Sequence, residues 1–125
     1  MNRCTTLALS TMVLLSVASS VAVAQSAPPT YLADPAVYKV IFEDENFRVI
    51  AATWQKGMHD KAHSHPVPSV IYSLTDCVIR VYAPDGKTRD ITNKAGTAQA
   101  APITQSHSAE NIGPNDYQVV FVERK

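Results

Sequence analysis

Short stretches rich in β-branched and aromatic residues recur along the chain from Tyr38 onward, with turn-forming residues between them. After Gln25, no window of ten or more residues repeats its apolar positions with the helical period of about 3.6 residues. The predicted strands are Tyr38 to Phe42, Phe47 to Trp54, Ser69 to Leu74, Cys77 to Tyr82, Thr88 to Ile91, Ala98 to Ala101 and Gln118 to Val122. Many short strands separated by turns predict an all-β sandwich or barrel.

Turn chemistry supports this interpretation at several points. In Ala83-Pro84-Asp85-Gly86 the proline fixes its own φ and the glycine tolerates a left-handed backbone. We therefore expect a hairpin that connects Cys77 to Tyr82 with Thr88 to Ile91. Lys94-Ala95-Gly96 and Ile112-Gly113-Pro114-Asn115 predict two further turns.

The first 24 residues have a different composition from the rest. A basic start with Arg3, an apolar run from Leu7 to Val23 and the small residues Ala22-Val23-Ala24 are typical of a signal peptide that is cleaved after Ala24. Three prolines and no periodicity in the following segment predict an extended N-terminal arm over residues 25–37. The barrel domain is then expected over residues 38–125, in a protein that is periplasmic or secreted.

Charge and cysteine content narrow the classes of partner. Loss of Arg3 with the signal leaves ten cationic against eleven acidic residues, so nucleic acid is not an expected partner, nor is a membrane after cleavage. Cys77 is then the one remaining cysteine and cannot form an internal disulfide. We expect it to be a buried small apolar residue, so the fold must rest on its hydrophobic core.

Histidines are concentrated in one segment. His59, His63 and His65 fall within seven residues, and His107 is the only other histidine. In an extended strand, residues i and i+2 face the same side, so His63 and His65 can present two imidazoles to one point. Imidazole is a good ligand for Zn, Cu, Fe and Ni, and His107 could supply a third nitrogen. A solvated surface pair is the alternative interpretation of His-x-His.

The spacing around these histidines resembles the two motifs of the cupin superfamily. Gly57, five residues and His63-Ser64-His65 follow the first motif, and Gly96, five residues, Pro102, His107 and Asn111 follow the second. Seven of the ten motif positions match without adjusting a gap. The resemblance implies a double-stranded β-helix, or jelly-roll barrel, with a metal held by His63, His65 and His107. It also implies a structural role for Asn111, bonding a loop backbone, and a homodimer joined through strand edges.

Three motif positions differ from the family. Asp76 and Thr104 replace turn glycines, and Ser69 stands where cupins usually carry a metal-binding glutamate. Without that carboxylate, hard ions such as Mg²⁺ and Mn²⁺ should bind less well than Zn²⁺, Cu²⁺, Ni²⁺ or Fe²⁺. The expected cofactor is therefore a divalent transition metal from the set Fe, Zn, Ni, Cu or Mn, with open coordination positions of the kind found in catalytic sites.

Two residues are candidates to complete the site. His59 would be a fourth ligand if the chain were extended from there to His65. Ser69 could hydrogen-bond a ligand imidazole or a bound water, or could simply fill space. Glu110 is expected on the outer face rather than as a ligand.

The resemblance leaves three functions open. The first is a metal-dependent enzyme, dioxygenase-like or isomerase-like, that acts on a small organic molecule. The second is a non-catalytic module that binds a ligand or a metal. The third is a degenerate cupin without metal that serves as an interaction domain. The fold alone cannot select among them.

Overall fold

The computed structural model describes residues 25–125, so the predicted signal peptide lies outside the described residues. One short helix and nine strands occur in this range. They are α1 (Thr30–Ala33), β1 (Tyr38–Glu43), β2 (Phe47–Trp54), β3 (His63–His65), β4 (Ser69–Ser73), β5 (Cys77–Tyr82), β6 (Thr88–Asn93), β7 (Ala98–Ala101), β8 (Thr104–Asn111) and β9 (Tyr117–Arg124). Among these residues no helix is long and apolar enough to cross a bilayer.

The strands form two antiparallel sheets that face each other. One sheet has the order β1-β2-β9-β4-β7 and the other has the order β3-β8-β5-β6. Alternate residues of both sheets point inward and form one core, which includes Ile50, Ile79, Val119 and Phe121. The predicted all-β class and double-stranded β-helix fold are confirmed. Cys77 is free and buried in this core, as expected.

The predicted hairpin between β5 and β6 is present, and its turn contains the glycine that the sequence indicated. β5 pairs with β6 from Cys77 to Tyr82, and Gly86 has a φ of 83° in the turn between them. β8 was not predicted, because Thr104 to Asn111 is polar and reads as a loop. It is nevertheless a central strand that joins β3 to β5.

The N-terminal arm is extended only in its first part. Ser64 donates its backbone N–H to the Pro28 carbonyl at 2.8 Å, and Ala27 does the same to Gln105 at 3.0 Å. The prediction of an extended arm over residues 25–37 is wrong beyond this point, since the chain turns into the helix α1. The arm covers the outer side of β3, which would otherwise be an exposed sheet edge.

An apolar row crosses the outer face of the five-stranded sheet. Register places Phe42 opposite Val49, Val49 opposite Val122, and Val122 opposite Val70. Phe42 is 53% exposed and Val70 is 47% exposed. Contiguous exposed apolar surface is typical of contact sites. The homodimer stays a prediction.

Asn111 ends β8 and holds the loops at one end of the barrel. Its buried amide donates to the carbonyls of Trp54 at 3.1 Å and Asn115 at 2.8 Å, and its oxygen accepts the Gly113 N–H at 3.0 Å. The structural role expected for Asn111, bonding loop backbone, is therefore what the structure shows.

Replacing Asn111 should destabilise the fold. We expect Asn111→Ala to lower the free energy of unfolding by about 3 kcal/mol, because a typical hydrogen bond contributes about 1 kcal/mol net and three are lost. Asn46→Ala, in an exposed turn, is the matched control and should change it by less than about 0.5 kcal/mol. Urea unfolding measures both, and equal losses would contradict this role.

Candidate metal centre

The pairing of β3 with β8 brings three histidines together. His63 and His65 face inward from β3, and His107 lies directly opposite His63 on β8. Side chains at opposed positions of an antiparallel pair are close neighbours, so the His63 and His107 rings meet as soon as the strands pair. The register shifts between His63 and His65, so that Thr104 lies opposite His65.

The three imidazoles converge through the same ring atom. His107 Nε2 lies 2.9 Å from His63 Nε2 and 3.1 Å from His65 Nε2. The ligand atoms of the cluster all lie within 4.8 Å of one another. No other group of three or more His, Cys, Asp or Glu side chains within residues 25–125 has its ligand atoms this close.

Burial keeps two of these imidazoles neutral. Desolvation lowers the pKa of His65 to about 4, with a smaller electrostatic contribution from the neighbouring His63. Desolvation is also the main cause that lowers the pKa of His107 to about 3, with smaller contributions from His63, His65 and Arg89. Both rings therefore offer lone pairs at neutral pH, the form that binds a metal.

The hydrogen bonds of His63 orient its ring. Its Nδ1 lies 2.9 Å from the Lys61 carbonyl oxygen, which can only accept, so Nδ1 carries the proton and Nε2 presents a lone pair to the cluster. His65 Nδ1 is buried and has no hydrogen-bond partner within residues 25–125. Nitrogens that share one ion at bonds of about 2.0–2.1 Å stand roughly 3 Å or slightly more apart, so the spacing of this cluster fits a metal.

A buried carboxylate lies behind the cluster. Asp60 accepts the Tyr38 hydroxyl at 2.6 Å, the Trp54 indole N–H at 3.0 Å and the Ala109 backbone N–H at 2.7 Å. Its Oδ2 is also 3.6 Å from His63 Nδ1, and the Tyr38 oxygen is 3.3 Å from His63 Nε2. Burial and the adjacent carboxylate of Asp60 raise the pKa of Tyr38 well above its ordinary value, so its hydroxyl keeps its proton.

The other predicted site residues lie apart from the cluster. His59 stacks on Tyr82 with ring centroids 4.6 Å apart, and its Nε2 is 2.8 Å from Ser108 Oγ. The chain between His59 and His63 is not a continuous strand, and the structure does not bring His59, the predicted fourth ligand, to the group formed by His63, His65 and His107.

Ser69 and Glu110 complete the comparison with the predicted site. Ser69 Oγ is buried and makes no hydrogen bond to another of the described residues, so it bonds none of the three imidazoles. Glu110 accepts the Tyr82 hydroxyl, away from the cluster.

An open cavity of about 280 Å³ extends from the histidines into the barrel. Its walls are mainly apolar and include Ile71, Ile79, Ile91 and Val119. Arg89 and Asn93 lie on the inward side of β6 and also line it. Ligand sites are typically concave and apolar with a few polar groups, and this cavity is close to the small end of their usual range of about 300–1,000 Å³.

Sequence reasoning missed three residues of the site: Tyr38, Asp60 and Arg89. Asp60 stands inside the histidine-rich segment, where an acidic residue close to predicted ligands was the available signal. Tyr38 and Arg89 carry no such signal, because only the register of β1 and β6 turns them inward.

Comparison with known proteins finds similar solved structures but no matching family model or curated protein. No family model matches the chain, and no curated protein matches it either. A cupin domain from Bordetella pertussis Tohama I is similar in structure, with 18% identity, 81% of this chain and 98% of that chain covered, and a TM-score of 0.65.

Two further solved structures are similar. A double-stranded β-helix protein from Klebsiella pneumoniae shares 21% identity over 79% of this chain and 83% of its own, with a TM-score of 0.56. An RmlC-like cupin family protein from Methanocaldococcus jannaschii shares 12% identity over 70% of this chain and 78% of its own, with a TM-score of 0.57. The strand order, the two histidine-bearing strands and these likenesses agree, and the chain has the double-stranded β-helix fold of the cupin superfamily.

Proposed function

We propose that His63, His65 and His107 hold a divalent transition metal, and that the resulting centre acts on a small organic molecule in the adjoining cavity. The observation that carries this proposal is the convergence of three Nε2 atoms at the wall of that cavity. His107 Nε2 lies 2.9 Å from His63 Nε2 and 3.1 Å from His65 Nε2. Two of the three rings are neutral at pH 7, as ligation requires.

An open site favours an enzyme over a storage module. His59, the residue that would have closed the coordination sphere, bonds Ser108 instead. Three protein ligands leave positions for a substrate, the arrangement of catalytic rather than structural metals. When bound, the metal would supply Lewis acidity and a template for the substrate, and the reaction class that the resemblance implies is dioxygenase-like or isomerase-like.

The chain's own residues supply the surroundings of this chemistry. Tyr38 lines the cavity and contacts both His63 and Asp60, so its hydroxyl is positioned to hold a proton beside the ligands. Asp60 provides a negative charge close to His63 that partly replaces the glutamate missing at Ser69. The imidazole set favours Fe, Zn, Ni or Cu over Mn.

The non-catalytic module and the metal-free domain remain the alternatives. A metal-free domain gives no reason for three imidazoles to converge at the wall of a cavity. The proposal also includes export, in keeping with the signal peptide predicted over residues 1–24, to the periplasm or outside the cell.

Metal content tests the proposal directly. Residues 25–125, purified without a histidine tag and loaded with Zn²⁺, should hold about one ion per chain by elemental analysis. His63→Ala and His107→Ala should each reduce this content to near zero, because two imidazoles rarely retain an ion during purification.

His59→Ala is the matched control for these variants. It removes an imidazole from the same segment but not from the cluster, so the zinc content should stay at the level of the unmodified protein. Loss of zinc from His59→Ala alone, or retention of zinc by both other variants, would overturn the assignment of ligands.

Removing the charge of Asp60 should weaken the site without removing a ligand. We expect Asp60→Asn to lower the affinity for Zn²⁺ by about 10- to 100-fold, the usual effect of losing a group that orients a metal ligand. Asp44→Asn is the control. Asp44 also accepts backbone N–H groups, but it lies in the exposed turn between β1 and β2, outside the histidine segment. Competition with a zinc-binding dye measures both, and equal affinities would contradict this role of Asp60.

The stability of the metal-free protein should fall with acidification. His65 and His107 have a lower pKa in the folded chain, about 4 and about 3, than the ordinary value of 6.5. Below pH 6.5 the unfolded chain therefore binds more protons, and the free energy of unfolding decreases as the pH falls toward 3.

Removing one of these groups should flatten the dependence. In urea unfolding, metal-free His107→Gln should lose less stability between pH 7 and pH 4 than the unmodified protein. A His107→Gln curve as steep as that of the unmodified protein would contradict the burial of a neutral His107.

A further inference from the structure

Arg89 carries a cationic group to the mouth of the histidine cavity. β5 lies between β6 and β8, and register aligns Arg89 with Val81 and Val81 with Ala109, two residues beyond His107. Two strand spacings of about 4.8 Å therefore separate the backbone of Arg89 from that of β8. Arg89 is exposed at the opening, and its side chain lines the same cavity as the three histidines.

Among the described residues, the guanidinium of Arg89 has no acidic partner. Arg48 is paired with Glu43 at 2.8 Å and Arg80 with Asp90 at 2.8 Å, but no carboxylate of residues 25–125 lies within 4.0 Å of Arg89. An arginine that points into a cavity without a carboxylate is suited to bind an anion in its forked geometry.

The lining of the cavity reinforces this charge. No aspartate or glutamate of the described part of the chain lines it. Asp60 is the nearby acid, but its side chain is fully buried behind the cavity and already accepts three hydrogen bonds. A dication on the histidines together with Arg89 would exceed the single negative charge of Asp60, so the cavity would attract anions.

The rest of the cavity is apolar and small. Ile71, Ile79, Ile91 and Val119 form walls around a volume of about 280 Å³. Such walls bind hydrocarbon and give little to a fully hydrated inorganic ion. The lining therefore matches a molecule with one anionic end and one apolar end.

We propose that the ligand of this cavity is a small organic carboxylate, whose carboxylate group faces the histidine cluster and Arg89 and whose apolar body packs against the isoleucine walls. This inference rests on the proposed metal site and adds to it the chemical class of the substrate. Arg89 is then a specificity-determining residue.

Trp54 provides a direct reading of occupancy. It is the one tryptophan of the sequence and it lines the cavity, so its fluorescence reports a bound ligand without any assay of activity. Zinc-loaded protein, residues 25–125, would be titrated with 4-methylpentanoate, with the neutral isostere 4-methylpentanamide and with inorganic phosphate, and calorimetry would give a second measure. We expect the carboxylate to bind at least about tenfold more tightly than the amide and than phosphate.

Arg89→Gln should abolish this preference. The affinity of this variant for 4-methylpentanoate should fall by about 10- to 100-fold, because the charge-assisted hydrogen bonds to the carboxylate are lost, while its affinity for the amide should be unchanged. Arg124→Gln is the matched control. Arg124 is also exposed and has no carboxylate partner in the described chain, but it lies on the outer face of β9, away from the cavity. It should bind both probes like the unmodified protein.

The zinc content of the same samples separates this inference from the proposed function. Zinc bound with equal affinities for carboxylate and amide, or with phosphate preferred, would overturn the carboxylate ligand and leave the metal site standing. A carboxylate preference that Arg89→Gln removes from protein unable to hold zinc would support the role of Arg89 and overturn the metal site.

Discussion

The carboxylate of Asp60 is the constraint on which the site depends. It is fully buried, and it joins three parts of the barrel by accepting hydrogen bonds from Tyr38 on β1, Trp54 on β2 and the backbone of Ala109 on β8. A buried charge is tolerated only when it is well hydrogen-bonded. The three donor groups and the carboxylate of Asp60 therefore fix one another's positions. Because Ala109 and His107 are on the same strand, the position of Asp60 also fixes where β8 presents its histidine.

The convergence of the three histidines follows from this arrangement together with the arm. The arm hydrogen-bonds to Ser64 along one edge of β3, and β8 pairs with His63 and His65 along the other edge. The strand β3 is therefore held between two backbones. Its histidines cannot turn outward, and their desolvation keeps lone pairs available. The same folding that buries the histidines leaves an apolar cavity beside them, and Arg89 lines this cavity without a carboxylate partner among residues 25–125. Ligand binding and metal binding would therefore share one preformed space.

Much of this could be predicted from the sequence, because the signals were local. The β-branched runs predicted β1, β2 and β5, and the spacing around His63, His65 and His107 predicted the cluster. What could not be predicted depends on register and tertiary contacts. The polar strand β8 lacks an apolar pattern, the helix α1 interrupts an arm that reads as extended, and His59 differs from His63 only through the irregular chain between them. The positions of Tyr38 and Arg89 are likewise consequences of strand pairing.

The most direct measurement is anomalous X-ray diffraction at the zinc edge from crystals of residues 25–125 soaked in Zn²⁺. We expect one strong anomalous peak per chain, within bonding distance of the Nε2 atoms of His63, His65 and His107, with its open side toward the cavity. A peak at His59 with none at the cluster, or no peak in crystals that retain the soaked ion elsewhere, would contradict a metal centre built from these three residues.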